Sequence, residues 1–257
     1  MKYLFILLFG GFLISCQQDG CTDPTATNYD PNADNNDGSC QYSSPTPPTT
    51  NGAGVTDNDG NSYETVIIGN QEWMAENLKT TTYANGDPIL NVIADTQWLN
   101  TVLNNQIPAW SHYNNDSQYE NPYGKLYNWW AVDDPRNICP TGWHVPSDAE
   151  WTILIDFLGG QDFAGGKMKT TGTIEGGDGL WTEPNTDATN SSGFSGLPSG
   201  FRDYLGQFQD VDIFGYWWSS TGSSGGAWYR YLRYDGGYVI RSARPKNNAM
   251  SCRCLKD

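Results

Sequence analysis

The acidic segment between Cys21 and Cys40 carries the most regular set of donor atoms in the chain. Asp30, Asn32, Asp34, Asn36 and Asp37 present hard oxygens at near-alternate positions, and Gly38 supplies a sharp turn after them. Calcium takes about six to eight such oxygens, so Asp30, Asn32, Asp34 and Asp37 are expected ligands if the segment binds this ion as a cofactor. No Glu stands at the closing position of an EF-hand loop, and the competing reading is an acidic spacer closed by a disulfide. Aromatic side chains are the second resource, with 11 Trp, 15 Tyr and 9 Phe. An exposed indole can stack on a sugar ring, and Trp129-Trp130, Trp143, Trp217-Trp218 and Trp228 are candidates. Neighbours in a strand face opposite ways, so one ring of each pair is expected in the core and the other outside. Trp217, Trp218 and Trp228 are taken as ligand-binding residues on that basis. Catalytic sets are harder to find. The chain has 2 His, His112 and His144, and lacks Cys-x-x-Cys and His-Glu-x-x-His. His144, between Trp143 and Pro146, is read as a packed, hydrogen-bonded turn residue. No pair among the 29 acidic residues stands out as a hydrolytic couple.

The six cysteines lie at 16, 21, 40, 139, 252 and 254. Lys2 precedes an apolar run, Tyr3 to Ile14, of about 18 Å as a helix, too short for a hydrocarbon core of about 30 Å. It reads as the core of a signal peptide. The run ends Leu13-Ile14-Ser15-Cys16, similar to a bacterial lipobox, which implies cleavage before Cys16 and its lipidation. Gln17-Gln18-Asp19 resembles an acidic export tag. The expected location is therefore the outer membrane, lipid-anchored and exported, with the cell surface as its further destination. More than one acyl chain gives stable anchoring. Export also brings an oxidising compartment. Cys21 and Cys40 bracket one segment and are expected to pair. Cys139 then pairs with Cys252 or Cys254. These two lie two apart in an expected closing strand, with both thiols on one face. We favour Cys254, leaving Cys252 as a buried free thiol. The net charge of −15 gains no counterion-release energy from nucleic acid, which is excluded as a partner.

These residues need a scaffold, and composition bounds it. Apolar residues make up 37%, against the usual about 45–50%, while 29 Gly and 14 Pro make the backbone rich in turns. That excludes a helical bundle. Four regions follow: a leader at 1–15, an acidic Cys-bracketed module at 16–41, a Pro/Thr linker at 42–54 and one domain at 55–257. Within the domain, Tyr63 to Ile68 and Gln71 to Met74 read as a hairpin around Gly69-Asn70. Asp95 opens a short helix carrying Trp98, Leu99, Val102 and Leu103. Ser147 and Glu150 form a capping box ahead of Trp151, Leu154, Ile155 and Leu158, one apolar helical face that Gly159-Gly160 ends. Strands are expected at Tyr216–Ser219, Ala227–Tyr234, Tyr238–Arg241 and about 250–255, with Asp235-Gly236-Gly237 as a hairpin turn.

In chain order the domain reads Ile68-Gly69-Asn70-Gln71-Glu72-Trp73-Met74-Ala75-Glu76-Asn77-Leu78-Lys79, then Tyr123-Gly124-Lys125-Leu126-Tyr127-Asn128-Trp129-Trp130. Cys139-Pro140-Thr141-Gly142-Trp143-His144-Val145-Pro146 follows, then Gly215-Tyr216-Trp217-Trp218-Ser219-Ser220, and finally Arg253-Cys254-Leu255-Lys256-Asp257. Over roughly residues 55–257 this resembles the Fibrobacter succinogenes major paralogous domain, a family of exported proteins. The resemblance implies no established activity. It implies an α+β, C-type-lectin-like fold, shared with formylglycine-generating enzymes, with two helices around small twisted antiparallel sheets. Cys252 departs from the family, which has an apolar residue there. The paired cysteines of formylglycine-generating enzymes have no counterpart, because residues 140–251 contain no Cys. Lectins of this fold hold calcium and sugar through Glu-Pro-Asn, and Glu183-Pro184-Asn185 spells that tripeptide, making Glu183 and Asn185 further candidates. The expected function is a non-catalytic interaction module that binds a glycan or an envelope protein. The alternatives are a carbohydrate-active or formylglycine-type enzyme and a structural envelope protein.

Overall fold

A computed structural model describes residues 18–24, 26, 28–41, 50–103 and 106–257, with the side chains of 102 and 103 outside the description. The leader, Cys16 and most of the linker also lie outside it. The chain divides into two compact units, Met1–Thr46 and Pro47–Asp257. In the first, Asp19–Gly20 pairs in parallel with Asn35–Asn36, and Cys21 is bonded to Cys40. Its turns are held by side chains capping nearby backbone groups.

The second unit is mixed α/β, mostly sheet. Besides a two-stranded ribbon of Val55–Thr56 and Ser62–Tyr63, its strands are β1 (Thr50–Asn51), β2 (Thr65–Ile68), β3 (Gln71–Met74), β4 (Leu90–Asn91), β5 (Ala109–Ser111), β6 (Leu126–Asn128) and β7 (Trp143–His144). There follow β8 (Ser199–Arg202), β9 (Phe208–Val211), β10 (Phe214–Ser223), β11 (Gly226–Arg233), β12 (Ile240–Arg244), β13 (Ala249–Met250) and β14 (Leu255–Lys256). A nine-stranded sheet runs β12-β11-β10-β8-β13-β6-β5-β4, with β9 beside β8. A five-stranded sheet runs β7-β14-β3-β2-β1. The longer helices are α1 (Asp95–Leu103), α2 (Asp148–Phe157) and α3 (Gln161–Met168). None of the described helices is long and apolar enough to cross a membrane.

Locally encoded elements form where expected. The β2–β3 hairpin closes with Ile68 opposite Gln71. Both halves of the α2 capping box are made: Ser147 Oγ accepts from the Glu150 amide, and the Ser147 amide donates to Glu150 Oε2. Trp151, Leu154, Ile155 and Leu158 are all buried.

Four expectations need correction. The linker ends earlier than residue 54, because Thr50 and Asn51 pair with Ile67 and Val66 as an edge strand. A third helix, α3, accompanies the two expected, and the sheets are larger and partly parallel, at β4–β5 and β8–β10. Its Gly165-Gly166 pair lowers helix propensity but is needed for packing: a Cβ would lie 2.4 Å from the Tyr238 carbonyl oxygen and 2.3 Å from that of Asp187. Those contacts also draw Tyr238 and Val239 out of the last hairpin, so its second strand starts at Ile240; the Val239 amide donates to the Gln161 carbonyl. Finally, the single closing strand is two short ones in different sheets. Between them the chain crosses over, and Arg253, fully buried, donates to Asn77 Oδ1 and to the carbonyls of Phe194 and Ser195. This crossover brings Cys254 into its bond with Cys139 and leaves Cys252 free and buried.

β10 lies between two apolar layers. Trp217 packs with Trp73, Trp151, Leu154 and Phe194, while Trp218 packs in a separate cluster with Tyr127, Trp129, Tyr229 and Met250. Alternate faces of one strand thus serve two cores.

Candidate functional site

The structure scatters the residues singled out in the sequence. Asp30 caps its own turn by accepting from the Asn32 amide, and also accepts from Gln18 Nε2. Asp34 is approached by the Gln18 amide, and Asp37 accepts from the Ser39 amide. Among the described residues no three His, Cys, Asp or Glu side chains converge as a metal would require. Trp217 and Trp218 are both 0 % exposed, which removes them as stacking surfaces. The Trp217 indole donates to Asn77 Oδ1 and that of Trp218 to the Tyr127 carbonyl. Asn185 is buried too: its amide nitrogen donates to the carbonyls of Thr170 and Gly172 and so holds a loop, while its Oδ1 is buried without a partner. Glu183 is exposed, and its backbone amide donates to Glu175 Oε2. Trp228 is half-buried, with the Arg241 guanidinium 3.4 Å from its ring centre. Cys16 lies outside the described residues.

A different set comes together at the tip of the β10–β11 hairpin. A cleft of about 360 Å³ is lined by Trp130, Ser223, Ser224, Gly225, Gly226, Pro245, Lys246 and Asn247. Three segments build it. The hairpin tip pairs Ser223 with Gly226 around Ser224-Gly225. Gly226 has to be glycine, because a Cβ there would lie 1.9 Å from the Arg244 carbonyl oxygen of β12. The loop after β12 is held by the Trp129 amide, which donates to the Lys246 carbonyl, and by the Asn247 carbonyl, which accepts from the Trp98 indole. The third segment is a single helical turn, Trp129–Val132, capped by Asn128, whose Oδ1 accepts from the Ala131 amide. That turn buries Trp129 and sends its indole to the Ser219 carbonyl, leaving Trp130 half-buried beside the cleft.

The chemistry of the cleft is donor-rich. Lys246 Nζ lies 4.0 Å from the Trp129 ring centre and 4.9 Å from that of Trp130. Trp130 Nε1 and Ser223 Oγ are both buried with no hydrogen-bond partner. An unmade hydrogen bond of this kind costs about 1–3 kcal/mol, and of the eight such side-chain atoms among the described residues these two belong to residues lining one cleft. No carboxylate lines the cleft. Nearby, burial raises the Asp133 carboxyl, and the Lys246 charge opposes that rise.

The family model described as the Fibrobacter succinogenes major domain matches residues 66–256. The chain belongs to that family. All the cleft residues and the Cys139–Cys254 bond lie inside the Fibrobacter succinogenes major domain, and the Cys21–Cys40 unit lies outside it. No curated protein and no solved structure matches the chain.

The remaining polar clusters of the domain are spent on its own architecture. Asp148, at the start of α2, is held below its ordinary value: burial would raise it, but the Arg241 and Arg230 guanidinium groups outweigh this at 2.8 Å and 2.7 Å. His144 has both ring nitrogens engaged, Nδ1 with Asp257 at 2.6 Å and Nε2 with Glu150 at 3.0 Å. His112 and Lys125 share Glu120 Oε2. Burial pushes the Cys252 thiol far up, which suppresses the reactive thiolate. A second cleft, about 330 Å³, carries Glu64 and Glu76 with Tyr63 as its single aromatic.

Lys246 and Ser223 carried no signal in the sequence. Trp130 did, as half of an adjacent pair with one ring expected inside and one outside, although the pair sits on a helical turn and not a strand.

Proposed function

We propose that this chain is an exported envelope protein, lipid-anchored through Cys16, whose Fibrobacter succinogenes major domain, C-type-lectin-like in fold, works as a non-catalytic binding module. The cleft beside Trp130 is its carbohydrate site. One observation carries this reading: Trp130, half-buried at the cleft wall, and Ser223 both hold unmade hydrogen bonds. Apolar ring faces joined to a few convergent polar groups match a sugar, whose ring carries both a C–H face and hydroxyls. The tip of the wall, Ser224-Gly225, is exposed.

The test uses the full chain in detergent on an array of bacterial, algal and plant polysaccharides, followed by calorimetry on each hit. Binding to at least one glycan, weakened ten-fold or more by Trp130→Ala, is the expected result. A wild-type chain that binds nothing on the array overturns the reading, as does binding that Trp130→Ala leaves intact. Mass spectrometry of the membrane-extracted chain addresses the anchor, and an uncut leader with unmodified Cys16 removes that part.

A further inference from the structure

We propose that the Trp130 cleft selects glycans bearing an anionic group, a carboxylate or a sulfate ester, with Lys246 as its partner; this rests on the carbohydrate reading above. The argument begins with how the chain disposes of its cations. At a net charge of −15, carboxylates are plentiful, and most Lys and Arg side chains find one or a backbone carbonyl. Lys79 pairs with Glu76, Lys125 with Glu120, Arg202 with Asp95 and Lys256 with Glu72. Lys167 and Lys169 donate to carbonyls. Lys246 does neither. Among the described residues its Nζ makes no hydrogen bond and no ion pair, and its contacts are the faces of Trp129 and Trp130.

Two aromatic faces hold an ammonium group in place without neutralising it. The charge is therefore positioned in advance and still available. The residues lining the cleft carry further donors and no carboxylate: the Trp130 indole N–H and the Ser223 hydroxyl, both buried without a partner, and the hydroxyl of Ser224. An indole N–H is a donor only, so the group that satisfies Trp130 must accept. A neutral sugar hydroxyl accepts, but it gains little from Lys246. A carboxylate or sulfate accepts from the indole, the hydroxyl and the ammonium together, and charge-assisted bonds are roughly twice as strong as neutral ones. The neighbouring cation, Arg244, is turned the other way, over the Phe201 ring at 4.3 Å and onto the Tyr229 hydroxyl. The rest of the acidic surface repels polyanions, so attraction at this cleft is local and Lys246 is responsible for it. The Asp133 carboxylate, whose rise on burial the Lys246 charge opposes, works against the ligand.

The experiment pairs each acidic polymer with its neutralised form on the full chain: polygalacturonate against its methyl ester, and a sulfated galactan against the same polymer desulfated. The expected result is binding of one acidic member at least ten-fold tighter than its neutral partner. Lys246→Gln should abolish that preference, Asp133→Asn should strengthen it, and Lys256→Gln, remote and paired with Glu72, should leave it unchanged. Which pair shows the preference distinguishes carboxylate from sulfate. Equal binding of acidic and neutral members, sensitive to Trp130→Ala, overturns the anionic preference while the carbohydrate reading stands. A preference that survives Lys246→Gln overturns the assignment to Lys246. Absence of binding to all four polymers and to the wider array overturns both.

Discussion

The two adjacent tryptophan pairs, Trp129-Trp130 and Trp217-Trp218, look alike in sequence and do opposite things in the fold. Trp217-Trp218 sits mid-strand, so its rings point to opposite faces of β10. Both faces are covered, by the α2 layer on one side and the Tyr127–Met250 layer on the other, and both rings are core. Trp129-Trp130 sits on one helical turn, where neighbours differ by about 100°. One ring is buried and donates to the Ser219 carbonyl; the other is left at a cleft with its own donor unpaired. Alternation decides which way a ring points. Whether it meets solvent depends on what packs on that side, which is a property of the whole chain.

Replacing one member of the buried pair gives the largest expected effect. Trp217→Ala should destabilise the domain by about 3–5 kcal/mol in urea denaturation. It opens a cavity between β10 and α2 and removes a donor from Asn77 Oδ1, an atom that also receives Arg253. A loss under about 1 kcal/mol would mean that the pairs are not distinct in role. Next comes the Cys139–Cys254 bond, which lies in the Trp218 cluster and closes a sequence separation of 115 residues. The double variant Cys139→Ser, Cys254→Ser should lose about 2–4 kcal/mol, read from the same denaturation curves. Cys252→Ala should change far less, since Cys252 fills space as a small apolar group.

The parts of this contrast that were legible in sequence are the local ones. The capping box at Ser147, the face from Trp151 to Leu158 and the hairpin at Gly69-Asn70 each depend on residues within one or two turns of one another. The crossover at 251–254 was not legible, because Ser251 to Cys254 read equally well as one strand. What breaks that strand is Arg253 reaching Asn77, Phe194 and Ser195, segments distant in sequence. α3 was hidden for a similar reason: two glycines that weaken a helix in isolation are what lets it touch Tyr238 and Asp187. The cleft was half legible. A Trp-Trp pair suggests an exposed ring, but no local pattern brings Lys246 and Ser223 to it. The Glu183-Pro184-Asn185 tripeptide misled in the opposite direction, since the amide nitrogen of buried Asn185 is taken up by the carbonyls of Thr170 and Gly172.

The half-buried member of the contrast should tolerate change. Trp130→Phe keeps a ring at the cleft and deletes the unpaired N–H, so no hydrogen bond within the protein is lost. Its stability should lie within about 1 kcal/mol of wild type. Glycan affinity should nevertheless fall several-fold by calorimetry. A large stability loss with unchanged affinity would reverse the roles assigned to the two pairs.

The smallest effect expected is a pH dependence confined to the layer that buries Trp217. His144 ties Glu150 of α2 to Asp257, just beyond β14, whose Leu255 shares that layer. Burial alone would lower the His144 pKa, but hydrogen bonds to the carboxylates of Asp257 and Glu150 outweigh it, so the folded value lies above the usual 6.5. The sign follows from linkage. A raised pKa means the folded state binds the proton more tightly than the unfolded one, so the contribution is fully present below about pH 6.5 and is lost as pH rises through the folded value. His144 is partly exposed, so solvent screening keeps the effect small. The difference in stability between wild type and His144→Gln should therefore shrink between pH 6 and pH 8, by about 1 kcal/mol at most. Glycan affinity at the Trp130 cleft should not follow it, because His144 contacts none of the cleft residues. A difference that grows with pH would show that His144 folds in its neutral form and that the two carboxylates do not hold its proton.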